Sequence, residues 1–392
     1  MTAPRPTLLI LVAISSLQPI ALNMLAPATP ALAREFGASY ATIQLTLTLF
    51  LVSVALTQLV VGPLSDRFGR RPCVIAGIAL FVAGSVLGAL SQSTWVLLLS
   101  RVLEGAGSGT AFALTRAIIR DTSSRDDAAS QIASVTMVMV VAPMIAPYLG
   151  GQIDSWLGWR TIFWAMVAVG SVVLLLTAWR LPETAPVIGV RSSLSGLFRA
   201  FPILLSDREF QMNAIAVSTT TAAFFAFVAA APHIVVEVMG HGSDAYGTYF
   251  ILNALGYMIG NFGMSRLVRR HGAPRLIRIG LVISFIATTA AFAISLSAYW
   301  TPLSLFLPLA FNAIGNGLTI PGATAEALSA RPELAGSAAG LSGALQLGSS
   351  ALAAVLVSAL VVVWPQVMML MMWLLIAIAM LALRPSRPDR AA

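Results

Sequence analysis

Arg101 and Glu104 interrupt an otherwise apolar run near 94–116, three residues apart. On a helix that spacing puts both side chains on one face. If the run crosses a membrane, Glu104 lies ten residues from its start near Thr94. That is about 15 Å deep, near the midplane of a core about 30 Å thick. A charge at that depth costs about 2.5–3.5 kcal/mol on insertion scales, so such a group is a functional candidate by default. Burial and a neighbouring arginine act on a carboxyl proton in opposite directions. The pair therefore has two readings: a proton carrier that switches with its surroundings, or a permanent ion pair that holds helices together.

Other polar residues in apolar runs are Asn23, Gln131, Asn253, Asn312, Asn316 and Gln346. Interhelical hydrogen bonding is the plain reading. Asn312 and Asn316, four apart, share a face and are candidates to line a cavity. Phe224, Phe225, Phe227 and Tyr257, with Met137 and Met139, suit an adaptable apolar pocket. Lipid-facing or core packing is the alternative for each. Glu326, beside Arg331 near the end of its run, reads as a gate or surface residue. Asp154 and Glu237, near outer ends of runs, are expected to be solvated. The single cysteine, Cys73, excludes an intramolecular disulfide. His233, His241 and His271 show no metal-ligand spacing, and no cofactor is implied. No Walker loop, Gly-x-Ser-x-Gly or His-Glu-x-x-His motif supports ATP-driven transport or hydrolysis.

The elements that must position these residues are membrane helices. The chain has 392 residues, 58% hydrophobic and only 10% charged, against about 25% charged in a soluble domain. Mean hydropathy is +0.88. Twelve apolar runs are long enough to span. They lie near 8–33, 41–62, 73–91, 94–116, 130–153, 160–179, 209–236, 245–265, 274–297, 303–327, 335–359 and 363–383. Uniform apolarity favours helices over the alternating strands of a membrane barrel. All 23 basic residues are arginine. With the N-terminus cytoplasmic, 20 of the 23 fall on the cytoplasmic side, including the 67–71 and 266–278 clusters. Arg34 and Arg160 fall outside, and Arg101 lies within a span. The net charge of +8 therefore reads as topology rather than nucleic-acid binding. The first span is expected to remain in place, although Arg5 and Ala26-Pro27-Ala28 resemble parts of a signal peptide.

The longest cytoplasmic connection runs over 181–207 and opens Leu181-Pro182-Glu183-Thr184. It separates an expected N-terminal six-helix bundle, 1–180, from a C-terminal one, 208–392. Arg67-x-x-Arg70-Arg71 recurs as Arg266-x-x-Arg269-Arg270 about half a chain later. This is the trace expected of parallel repeats.

The loop after span 2 reads Gly62-Pro63-Leu64-Ser65-Asp66-Arg67-Phe68-Gly69-Arg70-Arg71-Pro72. It resembles the signature loop of the major facilitator superfamily. Arg101-Val102-Leu103-Glu104-Gly105-Ala106-Gly107-Ser108-Gly109 resembles the family's span-4 motif, whose arginine is linked to proton coupling. Ala142-Pro143-Met144-Ile145-Ala146-Pro147-Tyr148-Leu149-Gly150-Gly151 resembles the helix-5 antiporter motif, with alanine for glycine at 142 and 146. The doubled Ala-Pro and the stretch from Leu328 to Gly340 are similar to the Bcr/CflA multidrug-resistance subgroup.

The resemblance implies an all-α membrane protein of twelve transmembrane helices in two pseudo-symmetric six-helix bundles. It implies a proton-driven exporter of drug-like small molecules, a transporter and not an enzyme, in the bacterial inner membrane with both termini cytoplasmic. Its partners would be the substrate, protons and the lipid bilayer, with no nucleic acid, and a monomer is expected. The implied conformational latch is Gly62, Asp66, Arg67, Gly69, Arg70 and Arg71. Pro143, Pro147, Gly150 and Gly151 carry the antiporter motif. The cavity residues would be Asn23, Phe224, Phe225, Phe227, Asn253, Tyr257, Asn312, Asn316 and Gln346. One departure matters. Where the subgroup has Asp-Met-Tyr-Leu-Pro in its first helix, this chain has Asn23-Met24-Leu25-Ala26-Pro27, and Asn23 cannot carry a titrating proton. Glu104, with Arg101, is the expected replacement. A uniporter or importer of a specific solute, without proton coupling, is the alternative.

Overall fold

The computed structural model describes residues 6–122, 142, 145–184, 201–297, 300–331 and 334–383. Gln131, Met137, Met139 and Pro143 lie outside the described residues. Among these residues, all regular structure is helical. The helices are α1 (Leu8–Met24), α2 (Thr29–Phe36), α3 (Tyr40–Phe68), α4 (Arg70–Ala89) and α5 (Thr94–Thr122). There follow α6 (145–157), α7 (Trp159–Arg180), α8 (201–206), α9 (Arg208–His233) and α10 (Ser243–His271). The last are α11 (Ala273–Ser295), α12 (Pro302–Ser329), α13 (Ala335–Leu360) and α14 (Val367–Ala382).

Eight described helical stretches are long and apolar enough to cross a bilayer. Leu8–Phe36 counts once, because α1 and α2 join through a tight turn at Ala26–Ala28. Pro27 and Pro30 remove two amide donors there, which bends the span without ending it. Helix α5 is 29 residues long but carries the charged pair. Helix α10 is also 29 residues but more polar, and α14 has only 16. Trp159–Arg180 has a mean hydropathy of 2.2 with only 33% of its residues buried. Its Val172, Leu175 and Leu176 point outward, the pattern of a helix whose solvent is lipid. Trp95, Trp156, Trp179 and Trp364 are exposed near helix ends, as in an interfacial aromatic belt.

Two compact units divide the chain. The first takes its described residues from 1–195, 228–251 and 354–365. In it α5 packs on α1, α3 and α4, and α7 packs on α4. Its two rims are distinct. At one, Arg34 pairs with Glu237 at 3.1 Å, and Glu35 receives Trp159 Nε1 and Arg160. At the other lie Gly69, Asp121 and Glu183. Glu237 is thus not simply solvated, as the sequence suggested; the fold brings Arg34 to it. The second unit takes its residues from 196–227, 252–353 and 366–392, with α11 packed on α12 and α14.

Both α3 and α10 run 29 residues into a joint glycine, Gly69 or Gly272. These glycines adopt φ 99°, ψ 153° and φ 74°, ψ 151°, a region essentially reserved for glycine. The arginine repeat does not follow this register. Arg70 and Arg71 come after Gly69, whereas Arg269 and Arg270 come before Gly272. The repeated feature is the helix–glycine–helix joint, and the basic residues only cluster near it.

Candidate functional site

Arg101 and Glu104 are 1% and 0% exposed. One turn of α5 separates them, and Arg101 Nη1 contacts Glu104 Oε2 directly. Ser85 Oγ of α4 donates to Glu104 Oε1 at 2.6 Å. Arg101 Nη2 donates to the Ala21 carbonyl of α1 at 2.9 Å, and Nε to the Thr46 carbonyl of α3 at 3.4 Å. Its guanidinium lies 4.5 Å from the Phe50 ring centroid. Four helices therefore meet at one ion pair. Small residues make this possible: Gly105 approaches Phe50 of α3 and Gly107 approaches Gly77 of α4, backbone to backbone. A buried pair of this kind stands only while both members are satisfied. Here the arginine and the serine hydroxyl together meet both oxygens of the buried carboxyl.

Asn23 sits two residues from Ala21 and is 2% exposed. Its Nδ2 donates to the Pro19 carbonyl at 2.8 Å, and its Oδ1 has no partner among the described residues. Gln18 Oε1, five residues earlier, is likewise unpartnered among them. Such atoms are rare in folded proteins and ask for a ligand or water.

In the second unit Ser284 Oγ lies 3.2 Å from the Asn312 carbonyl and 3.4 Å from Asn316 Oδ1. The structure thus brings the two asparagines of α12 to one serine of α11. Asn312 Oδ1 has no partner among the described residues, nor do Ser218 Oγ and Thr220 Oγ1 of α9. Phe224 and Phe225 meet edge-on at 5.4 Å, and Phe227 meets Phe306 at 5.6 Å. Asn253 is buried, and Tyr257 half-buried with its carbonyl taken by Asn261 Nδ2. Half-buried Gln346 reaches Ser342 Oγ at 3.4 Å, and Ser349 joins α13 to the Ser218 carbonyl.

The signature loop is organised around Arg70 rather than Asp66. Arg70 is 6% exposed. It pairs with Asp66 at 2.7 Å and with Asp121, at the end of α5, at 2.9 Å, and it donates to Ser65 Oγ. Asp66 stays partly exposed. Arg67 stacks on Phe68 at the surface, and Gly62 lies in open space. Glu183 caps the N-terminus of α4: its carboxylate accepts the amides of Arg70 at 2.9 Å and Arg71 at 3.2 Å. Carboxylates suit that place because the first amides of a helix lack partners and carry partial positive charge. A Cβ on Gly69 would stand 2.6 Å from Glu183 Oε2. Arg71 Nη2 donates to the Ala178 carbonyl at 2.7 Å. Sequence reasoning passed over Asp121 and Glu183. The signal for Glu183 was a carboxylate placed just after a proline that stops α7.

In the antiporter motif Gly151 lies against the Ser243 carbonyl, and Gly247 lies against the Pro147 carbonyl. Each has room for hydrogen only, so α6 and the start of α10 touch backbone to backbone. Gly150 meets the Met24 carbonyl in the same way. Glu326 is half-buried in α12, while Arg331 pairs with Asp207 at 2.7 Å.

The sequence pattern of the Major Facilitator Superfamily matches residues 11–354. The uncharacterized MFS-type transporter YdgK of Bacillus subtilis is 31% identical over 335 residues, 84% of this chain and 83% of that one. The bicyclomycin resistance protein homolog of Haemophilus influenzae is 29% identical over 88% of this chain and 87% of its own. The multidrug resistance protein MdtL of Escherichia coli is 28% identical over 78% and 77%. With a family pattern over most of its length and a set of apolar spanning helices beneath it, the chain belongs to the Major Facilitator Superfamily, multi-pass membrane transporters of small molecules rather than enzymes.

Proposed function

We propose that this transporter exports drugs or similar small amphiphilic molecules across the bacterial inner membrane in exchange for protons, by alternating access. The observation that carries the reading is the Arg101–Glu104 pair. Glu104 is a wholly buried carboxyl held by one arginine and one serine at the junction of four helices. Coupling transport to protons needs a group whose affinity for a proton differs between the two access states; Glu104 is that group in this reading, with Arg101 as its counter-ion. The names of the resistance relatives supply the substrate class.

The remaining roles follow. Bundles 1–180 and 208–392 move about the 181–207 linker, twelve spans place both termini in the cytoplasm, and the unit of transport is a monomer without cofactor or nucleic acid. Gly62, Asp66, Arg67, Gly69, Arg70 and Arg71 form the cytoplasmic latch. Pro143, Pro147, Gly150 and Gly151 form the antiporter segment. Asn23, Phe224, Phe225, Phe227, Asn253, Tyr257, Asn312, Asn316 and Gln346 line the substrate cavity. Facilitated diffusion of a specific solute is the second reading, and Asn23 favours it, since its amide replaces a titrating acid.

Uptake of a drug panel into inside-out vesicles, with and without a pH gradient, separates the two. Gradient-dependent accumulation that disappears in Glu104→Gln is expected. Equilibration indifferent to the gradient would establish the second reading, and normal coupling in Glu104→Gln would move the proton elsewhere.

A further inference from the structure

A polar cluster in the first unit is not used by the mechanism above. Tyr40, the first residue of α3, is 6% exposed. Its Oη donates to the Ala229 carbonyl of α9 at 2.7 Å and accepts from Gln44 Nε2 at 2.8 Å. Thr29 Oγ1 lies 3.4 Å from the same oxygen, and the His233 ring stacks at 4.7 Å. Behind it a cavity of about 10 Å³ is lined by Thr29, Gln44, Thr46, Leu47, Val228 and Arg101. That is about the room one water needs. Thr29 and Gln44 belong to both the cavity and the cluster. Two partners of the Tyr40 hydroxyl thus share a cavity wall with Arg101, whose guanidinium holds Glu104.

We infer that Tyr40 is the stopper on the outer approach to the Arg101–Glu104 pair, held shut by the Ala229 carbonyl. The geometry gives the hydroxyl two attachments with different fates. Gln44 is one turn along the same helix and stays with it. Ala229 lies 189 residues away in sequence, so opening of this rim breaks that bond. The hydroxyl then loses its acceptor, the Thr29–Tyr40–Gln44 contact relaxes, and water enters the cavity beside Arg101. Tyr40 is thus a positioning residue: it ties closure of this rim to the seclusion of Glu104. The consequence for coupling rests on the proton-exchange reading, but the stopper itself does not.

The test uses full-length protein in proteoliposomes with Cys73→Ser and one reporter, Ala26→Cys, on the cavity wall. A membrane-impermeant thiosulfonate is added from the side of Arg34 or from the side of Arg70. Tyr40→Phe keeps the ring and removes the hydroxyl. Reporter labelling from the Arg34 side is expected to rise roughly tenfold, the factor for losing one buried hydrogen bond, with no change from the Arg70 side. Unchanged labelling, or equal gains from both sides, would overturn the proposal. Gln44→Met removes the donor that leaves the Tyr40 hydroxyl proton to the Ala229 carbonyl, so labelling is expected to move in the same direction, and this variant serves if Tyr40→Phe does not fold. Drug-driven proton release is read in the same liposomes. Its absence in the parent protein refutes proton exchange, while the stopper still stands or falls by the labelling. Its presence in the parent, kept at full drug-to-proton coupling in Tyr40→Phe, refutes the tie between this rim and Glu104.

Discussion

Glu104 is wholly buried, so its charge is bearable only because Arg101 and Ser85 meet it. Breaking a buried pair by removing one partner typically costs about 3–5 kcal/mol, whereas replacing both with apolar groups is often neutral. Arg101→Leu alone is therefore expected to be strongly destabilised, because a carboxylate remains buried without its counter-ion. The double variant Arg101→Leu, Glu104→Leu is expected to recover most of that loss, leaving the Ala21 and Thr46 carbonyls as the residual cost. Thermal unfolding of the purified proteins in detergent reads the difference. The same double variant also separates the two roles of the pair. If the pair only holds helices, the folded double variant still concentrates drug against its gradient. If Glu104 carries the proton, the double variant folds but only equilibrates substrate.

At the scale of elements, the helix joints set the geometry of the signature loop. Gly69 and Gly158 both occupy the backbone region essentially reserved for glycine. Strain there is worth about 1–3 kcal/mol for another residue. Gly158 faces open space, while a Cβ at Gly69 would press on the Glu183 carboxylate. Gly69→Ala is therefore expected to lower the melting temperature more than Gly158→Ala, and Glu183→Ala should narrow that gap. A second element test lies at α9. Asp207 caps it through the Phe210 amide at 3.0 Å, and that bond, followed by Arg331, holds its carboxyl below the usual range. A lowered carboxylate contributes stability above its unfolded value, about pH 4, and loses it as pH falls through the folded value. Asp207→Ala should cost about 1 kcal/mol at neutral pH and flatten the acid limb of the stability curve. Much of this architecture was legible in the sequence. A membrane helix needs only an uninterrupted apolar run, and Gly69 stood inside a recognisable loop. What was hidden is partner choice. Asp121 and Glu183 reach Arg70 and the α4 amides across 51 and 113 residues, and nothing local says which group either of them meets.

For the whole molecule, the question is what keeps the Arg34 rim closed, and magnitudes decide it. The Arg34–Glu237 pair is the visible clasp, but its side chains are 64% and 36% exposed. An exposed pair is worth about 0.2–1 kcal/mol, a factor of roughly 1.4–5 in the closed-to-open ratio. Salt weakens it further, since screening acts over about 10 Å at 0.1 M. The Tyr40–Ala229 bond is buried, is not screened, and leaves a carbonyl unpaired when lost. Closure should therefore depend more on the hydroxyl than on the ion pair. Arg34→Glu is expected to raise labelling of the Ala26→Cys reporter less than Tyr40→Phe does, with the effect altered by salt. The exchanged pair, Arg34→Glu with Glu237→Arg, should return labelling to the parent rate. If Arg34→Glu instead exceeds Tyr40→Phe at physiological salt, the rim is held by charge. Closure would then follow ionic strength on that side of the membrane rather than the state of the buried helices.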